Sequence, residues 1–121
     1  MEPSINDYMK KIKKNRKVVA VILFGSYAKR KTKPISDIDL AIIVRNPDSK
    51  TEAELGSLYS EKLDVVLFHR LPLYIQFEVF KHGKILFTRN KKYLHELKRR
   101  ILREYLDVSP MYERISKRVF A

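Results

Sequence analysis

Cysteine is absent from the 121 residues of this sequence, so the chain has neither a disulfide framework nor a thiolate metal site. Long apolar runs are also absent. The run Val18–Phe24 has only seven residues, whereas a helix that spans a bilayer needs about 20. The N-terminal stretch Met1–Lys17 is polar and basic and lacks the apolar core of a secretory signal. We therefore expect a soluble, cytoplasmic protein with no membrane association.

Acidic residues are few beside basic ones. The chain has 14 Asp and Glu against 26 Lys and Arg, which gives a formal net charge of +12. A field of that sign attracts nucleotides, nucleic acid or an acidic protein partner, and it does not choose among them. Hydrophobic residues make up 45% and charged residues 33%, which is typical of a globular chain. The length predicts a single domain over residues 1–121.

Apolar patterning predicts strands that alternate with helices. Continuous β-branched runs are typical of strands buried on both faces, and helical spacing of apolar residues marks the helices. The predicted strands are Val18–Phe24, Ile38–Val44, Leu63–Phe68 and Lys84–Thr88. The predicted helices are Ser4–Lys14, Ser26–Lys31, Lys50–Ser60 after a Ser49 cap, Pro72–Lys81 with Gly83 as its stop, Lys91–Leu106 and, after a break at Pro110, Met111–Phe120. This order predicts an α/β or α+β fold with a small mixed sheet of about four strands flanked by helices.

The most informative stretch lies around the first two predicted strands. Gly25 and Ser26 fall where the first strand ends and a helix is predicted to begin, and a helix N-terminus binds phosphate through its free N–H groups. Asp37 and Asp39 stand two positions apart at the start of the next strand, so both carboxylates point to one face. Two carboxylates this close repel each other unless they share a hard cation such as Mg²⁺, which also binds phosphate oxygens.

A third carboxylate, Asp64, stands at the start of the third predicted strand. If that strand pairs beside Ile38–Val44, Asp64 reaches the same metal ions. Three carboxylates, two Mg²⁺ ions and a phosphate-binding turn make a two-metal phosphoryl-transfer site, with Asp64 as the expected base. Lys29, Arg30 and Lys31 would neutralise the leaving pyrophosphate.

The pattern Gly25-Ser26, ten intervening residues and then Asp37-Ile38-Asp39 resembles the signature of the minimal nucleotidyltransferases. These are the antitoxins of HEPN–MNT toxin–antitoxin pairs, within the polymerase-β-like superfamily. The resemblance continues through Asp64 and the Leu71-Pro72 helix start, and it spans nearly the whole chain. One position departs from it, because relatives often have glycine where this chain has Arg30.

The resemblance implies a function and a set of site residues. Gly25 and Ser26 would contact the triphosphate of ATP, Asp37 and Asp39 would bind Mg²⁺, and Asp64 would be the third catalytic carboxylate. Members of the family transfer AMP from ATP to a tyrosine of a partner HEPN RNase toxin and so silence it. The small size fits this reading, since little chain is left for a second lobe and a docking protein can bring its own acceptor.

Three other functions remain open at this stage. An antitoxin could neutralise its toxin by binding alone, and a transferase could act on a small molecule or an RNA end. A nucleic-acid-binding module without catalysis would use the basic surface but leave the paired aspartates unexplained. The basic face of the last long helix is either solvated or in contact with a partner or RNA; it contains Lys98, Arg99, Arg100 and Arg103.

Overall fold

A computed structural model describes residues 5–24, 38–58 and 63–120, with side chains described for 6–24, 39–58, 64–108 and 110. The helices are α1 (Ile5–Lys14), α2 (Ser49–Gly56), α3 (Leu73–His82) and α4 (Lys91–Phe120), with a 3₁₀ turn at Phe68–Arg70. The strands are β1 (Val18–Phe24), β2 (Ile38–Val44), β3 (Leu63–Leu67) and β4 (Lys84–Thr88). The predicted helix at Ser26–Lys31 lies outside the described residues.

The described strands form one mixed sheet in the order β3-β2-β1-β4. The central strand β1 is antiparallel to β2 and β4, while β2 and β3 run parallel. The predicted fold class, a small mixed sheet of four strands flanked by helices, is therefore confirmed. In the part of the chain that the structure describes, no helix combines the length and the apolar character needed to cross a membrane.

Helices cover both faces of the sheet, which explains why β1 and β2 are continuously apolar. On one face α1 and α2 bury Tyr8, Met9, Ile12 and Leu55 against the sheet. On the other face the 3₁₀ turn, α3 and α4 bury Phe68, Val79, Leu94, Leu97 and Ile101. Helices α3 and α4 also contact each other through stacked rings, with 3.9 Å between the centroids of Phe77 and Tyr105.

The start of α2 differs from the prediction, which gave the cap to Ser49. The N-cap is Asp48, whose Oδ1 accepts a 2.8 Å hydrogen bond from the Thr51 backbone N–H. The same carboxylate pairs with Lys17, and this contact and the Thr51 bond hold the pKa of Asp48 well below its usual range. A carboxylate that satisfies both partners displaces the Ser49 hydroxyl as the cap.

Two element ends also differ from the prediction. Helix α2 ends at Gly56, a poor helix former, rather than at Ser60, which lies outside the described residues. Strand β3 ends at Leu67 because Phe68 turns into the 3₁₀ segment, where it is buried and packs edge-on against Phe80 at 5.2 Å.

The predicted break at Pro110 is wrong, because α4 is continuous from Lys91 to Phe120 with Pro110 inside it. Proline disfavours a helix by removing one N–H and crowding the preceding turn, but it does not forbid the helix. Pro110 is exposed, so the displaced groups of that turn can reach water.

Candidate functional site

Two of the three predicted catalytic carboxylates lie side by side at one edge of the sheet. Asp39 on β2 and Asp64 on β3 are directly paired in the parallel register. Neighbouring strands lie about 4.8 Å apart, and paired residues point to the same face. The sequence predicts that Asp64 reaches the same metal ions if its strand lies beside Ile38–Val44, and β3 does lie beside that strand.

The pair lies on the face that α3 and α4 cover. Side chains alternate along a strand, so Asp39 shares its face with Ala41 and Ile43, which pack against α3 and α4. Asp64 shares its face with Val66, which packs against the same cluster. Asp39 is half-buried and Asp64 is exposed, so the two carboxylates lie where this layer opens to solvent.

On its other side Asp39 is paired with Phe24, the last residue of β1. Gly25 follows Phe24 in the sequence, so β1 leads into the predicted phosphate-binding residues beside Asp39. The remaining predicted site residues lie outside the described residues; they are Gly25, Ser26, Lys29, Arg30 and Asp37.

Two carboxylates at this spacing suit a hard divalent cation. Mg²⁺ takes one or two carboxylates and completes its shell with water and phosphate oxygens, and Asp39 and Asp64 supply such donors. Without a cation, two negative charges at this distance repel each other. Within residues 5–24, 38–58 and 63–120 no group of three His, Cys, Asp or Glu could hold a metal ion. Asp37, the third predicted ligand, falls between two of those ranges.

A cavity on the same face was not foreseen from the sequence. It has a volume of about 450 Å³ and is lined by residues of β1, α3, β4 and α4, among them Ile22, Val79 and Leu94. Lys91, His95 and Lys98 also line it, as does Thr88, whose buried hydroxyl has no hydrogen-bond partner within the described chain. Four elements distant in sequence contribute to it, so no local motif could reveal it.

Comparison with known proteins places this geometry in a family. The sequence profile described as "Polymerase beta, Nucleotidyltransferase" matches residues 6–92. The Methanocaldococcus jannaschii protein MJ1547 is 38% identical to this chain over 71 residues. Its name gives protein adenylyltransferase as a provisional activity. That alignment covers 59% of this chain and 57% of the relative, so it spans little more than half of that protein.

Solved structures share the fold at low sequence identity. A chain of a toxin–antitoxin complex crystallised with AMP-PNP superposes with a TM-score of 0.73 at 22% identity, covering 96% of this chain and 98% of that one. A chain of the tri-AMPylated Shewanella oneidensis HEPN toxin in complex with its MNT antitoxin gives 0.69 at 21% identity, covering 96% and 95%. At these identities the likeness establishes the fold.

The predicted membership of the polymerase-β-like superfamily is thereby confirmed. The profile match runs from α1 through all four strands to the start of α4, and it includes both described aspartates and the segment that joins β1 to β2. The chain belongs to the polymerase beta nucleotidyltransferase family.

Proposed function

We propose that the protein transfers AMP from ATP to a tyrosine hydroxyl of a partner HEPN RNase toxin and acts as its antitoxin. The observation that carries this proposal is the pairing of Asp39 with Asp64 on adjacent parallel strands, in a chain of a nucleotidyltransferase family. A binding module has no need of two like charges at this spacing, whereas phosphoryl transfer does. An RNase toxin acts on cellular RNA, so the proposal places the protein in the cytoplasm.

In the proposed reaction the acceptor hydroxyl attacks the α-phosphorus of ATP. The bond from that phosphorus to the bridging oxygen breaks, pyrophosphate leaves, and Asp64 takes the hydroxyl proton. Two Mg²⁺ ions bound by Asp37, Asp39 and Asp64 would neutralise the phosphate charge and lower the pKa of the acceptor hydroxyl.

The proposed site is completed by four residues that precede Asp37 in the sequence. Gly25 and Ser26 would bind the triphosphate through backbone N–H groups and the serine hydroxyl. Lys29 and Arg30 would bind the pyrophosphate and stabilise its charge as it leaves. Their position in the sequence directly after β1, whose last residue is paired with Asp39, supports this assignment.

Two comparisons support the choice of acceptor. The Methanocaldococcus jannaschii relative is named, provisionally, as a protein adenylyltransferase. Chains with this fold occur in toxin–antitoxin complexes, and one of these complexes contains a tri-AMPylated HEPN toxin. A protein acceptor therefore agrees with both the related sequence and the related structures.

The test is intact mass spectrometry after incubation with Mg²⁺, ATP and the HEPN-type product of the neighbouring gene. We expect mass additions of one or more AMP units on the partner with the wild-type protein. Asp39→Asn and Asp64→Asn should abolish these additions, because each removes one carboxylate from the pair. The matched control is Asp7→Asn, which makes the same change at an exposed position of α1.

Two outcomes would contradict the proposal. If the partner gains no mass but its RNase activity is still blocked, by wild type and both variants alike, the protein is a binding-only antitoxin. If AMP appears instead on a small molecule or an RNA end, the protein is a nucleotidyltransferase with a different acceptor. Labelled ATP followed through both protein and RNA fractions separates these results.

A further inference from the structure

Three neighbouring strands each place an arginine at the same end of the sheet. Arg16 comes just before β1, Arg45 directly follows β2, and Arg89 directly follows β4. Because β1 is antiparallel to both neighbours, its start meets their ends, as the pairs Val18 with Val44 and Ala20 with Thr88 record. The sheet topology therefore gathers three residues that are far apart in the sequence.

The three arginines line a small cavity of about 140 Å³, which they share with Val18, Val19 and Asn90. None of these lining residues is acidic. We call this cavity and its rim the arginine end. Gathering three guanidinium groups costs electrostatic free energy unless an anion binds between them.

Two of the arginines are held in place by contacts to backbone and rings. The Arg89 guanidinium donates hydrogen bonds to the carbonyl oxygens of Asn15 at 3.0 Å, Val18 at 2.9 Å and Lys13. The Arg45 guanidinium carbon lies 5.2 Å from the centroid of the Tyr93 ring. A guanidinium has five N–H donors, so these contacts do not exhaust either group. Held in this way, the groups lose less conformational entropy when an anion binds.

The surroundings of the arginine end are basic as well. The contact between Arg89 and Lys13 brings the C-terminal turn of α1 to its rim, and α4 begins directly after Asn90. These two segments add exposed lysines at positions 13, 14, 91 and 92. Two carboxylates lie near this rim. Asp48 is paired with Lys17 at 2.5 Å, and Oε2 of Glu54 accepts a 3.3 Å hydrogen bond from the side-chain amide of Asn15.

The arginine end is remote from the candidate active site. Asp39 is paired with Phe24 at the end of β1, whereas the arginine end lies at Val18. Six residue steps along a strand span about 20 Å. An anion bound here is therefore separate from an ATP molecule bound near Asp39 and Asp64.

We propose that the arginine end binds the phosphate backbone of a polynucleotide. The cavity is compact, which suits a single phosphate, and the arginine fork matches phosphate oxygens in pairs. The lysines on either side extend the positive charge to where the next phosphates of a chain would lie. An acidic protein surface is the competing occupant, and the test below separates the two.

The test is fluorescence anisotropy with labelled single-stranded RNA and, separately, a DNA duplex of equal length, over a series of salt concentrations. EDTA is present and ATP absent, so that the paired aspartates cannot recruit phosphate through a metal ion. We expect wild-type binding whose logarithm falls linearly with the logarithm of salt concentration. The better-bound of the two probes identifies the kind of polynucleotide.

The variant is Arg16→Gln with Arg45→Gln, which leaves Arg89 to hold α1. We expect about tenfold weaker binding near 0.1 M salt and, for single-stranded RNA, a salt slope about 1.4 lower in magnitude, since each lost phosphate contact removes about 0.7. The matched control is Arg99→Gln with Arg103→Gln. It removes the same charge from exposed positions at least about 12 Å along α4 from its start, and should bind nearly as wild type.

Three results would overturn the proposal. The first is no wild-type binding of either probe at about 0.05 M salt, where phosphate contacts are strong. The second is equal weakening in both double variants, which would mean that the overall positive field attracts the probe without a defined site. The third is unchanged polynucleotide binding with lost binding of the partner toxin, which would identify an acidic protein as the occupant. AMP transfer by the Arg16 and Arg45 variant stays normal in our proposal, so this test does not depend on the proposed reaction.

Discussion

Gly83 joins α3 to β4 at a point where a side chain does not fit. A Cβ atom there would lie 2.2 Å from the Val79 carbonyl oxygen and 2.6 Å from Cγ2 of Ile22. Its φ of −74° and ψ of 158° are open to any residue, so the constraint is space alone. We expect Gly83→Ala to destabilise the protein by about 1–3 kcal/mol, as overpacking of a core does, measured by urea unfolding.

Gly56 provides the matched control, because a Cβ atom there would meet nothing within 4 Å. It is the last residue of α2, where alanine is the better helix former. Gly56→Ala should therefore be neutral or stabilise the protein by up to about 1 kcal/mol. Equal destabilisation by the two substitutions would contradict the steric account of Gly83.

Glu52 on α2 ties this helix to the 3₁₀ turn. It accepts two 2.9 Å hydrogen bonds from Arg70 and contacts His69 at 2.6 Å. These contacts lower the pKa of Glu52 from 4.5 to about 2, and the hydrogen bonds from Arg70 contribute more than the contact with His69. A depressed pKa in the folded state adds stability that is present above the unfolded pKa and is lost as pH falls through the folded one.

The stability difference between wild type and Glu52→Gln should therefore be largest above about pH 4.5 and should shrink as the pH falls towards 2. Thermal unfolding over a pH series measures it. Glu54→Gln on the same helix is the control, since Glu54 makes a weaker contact, 3.3 Å from its Oε2 to Asn15. A Glu52→Gln difference that does not change with pH would show that the ion pair is without effect.

At the scale of single residues, the sequence predicted positions better than causes. It marked Gly83 as the stop of a helix, and the position was right; glycine is common there because it tolerates a left-handed conformation. The structure gives a different cause, the close approach of Ile22 and Val79. A contact between residues about 60 apart in the sequence leaves no local pattern, so the sequence could not predict it.

At the scale of elements, α4 has the clearest unexplained cost. Pro110 lies within this 30-residue helix, where proline disfavours the helix by about 3 kcal/mol relative to alanine. We expect Pro110→Ala to slow amide hydrogen exchange in the last two turns before Phe120, since the variant restores an N–H and removes crowding. The control is Leu106→Ala, a substitution at an exposed position of the same helix that leaves Pro110 in place, and it should change this exchange little. Unchanged exchange in Pro110→Ala would mean that contacts elsewhere already fix this segment.

Element boundaries were predictable where burial dictated them. Strands β1 and β2 have the predicted limits because helices cover both of their faces and the apolar runs stop where burial stops. The pairing of β3 beside β2 was stated only as a condition, because strand neighbours depend on contacts distant in sequence. Asp39 and Asp64 are neighbours only because these two strands pair, so no local motif could predict that the two carboxylates meet.

At the scale of the whole molecule, the charge of +12 was known from the sequence but its distribution was not. Arg16, Arg45 and Arg89 share no spacing rule, and they meet because two antiparallel strands end beside the start of β1. The two acidic residues Asp39 and Asp64 meet at the opposite end of the sheet by the same logic of register. The strand order thus separates a negative site from a positive one by the length of β1.

The last prediction concerns the stability of the whole molecule with and without ligand. The carboxylates of Asp39 and Asp64 carry like charges on adjacent strands, so Asp64→Asn should leave the ligand-free protein as stable as wild type or slightly more stable. A ligand that binds only the folded state stabilises it, by about 2.7 kcal/mol at 100 times its Kd. With Mg²⁺ and a non-hydrolysable ATP analogue we therefore expect a rise in Tm for wild type and little rise for Asp64→Asn, measured by scanning calorimetry. Asp7→Asn, at an exposed position of α1 on the opposite face of the sheet, should show the full rise. A loss of ligand-free stability in Asp64→Asn, together with a normal ligand-induced rise, would make Asp64 a structural residue and remove it from the proposed site.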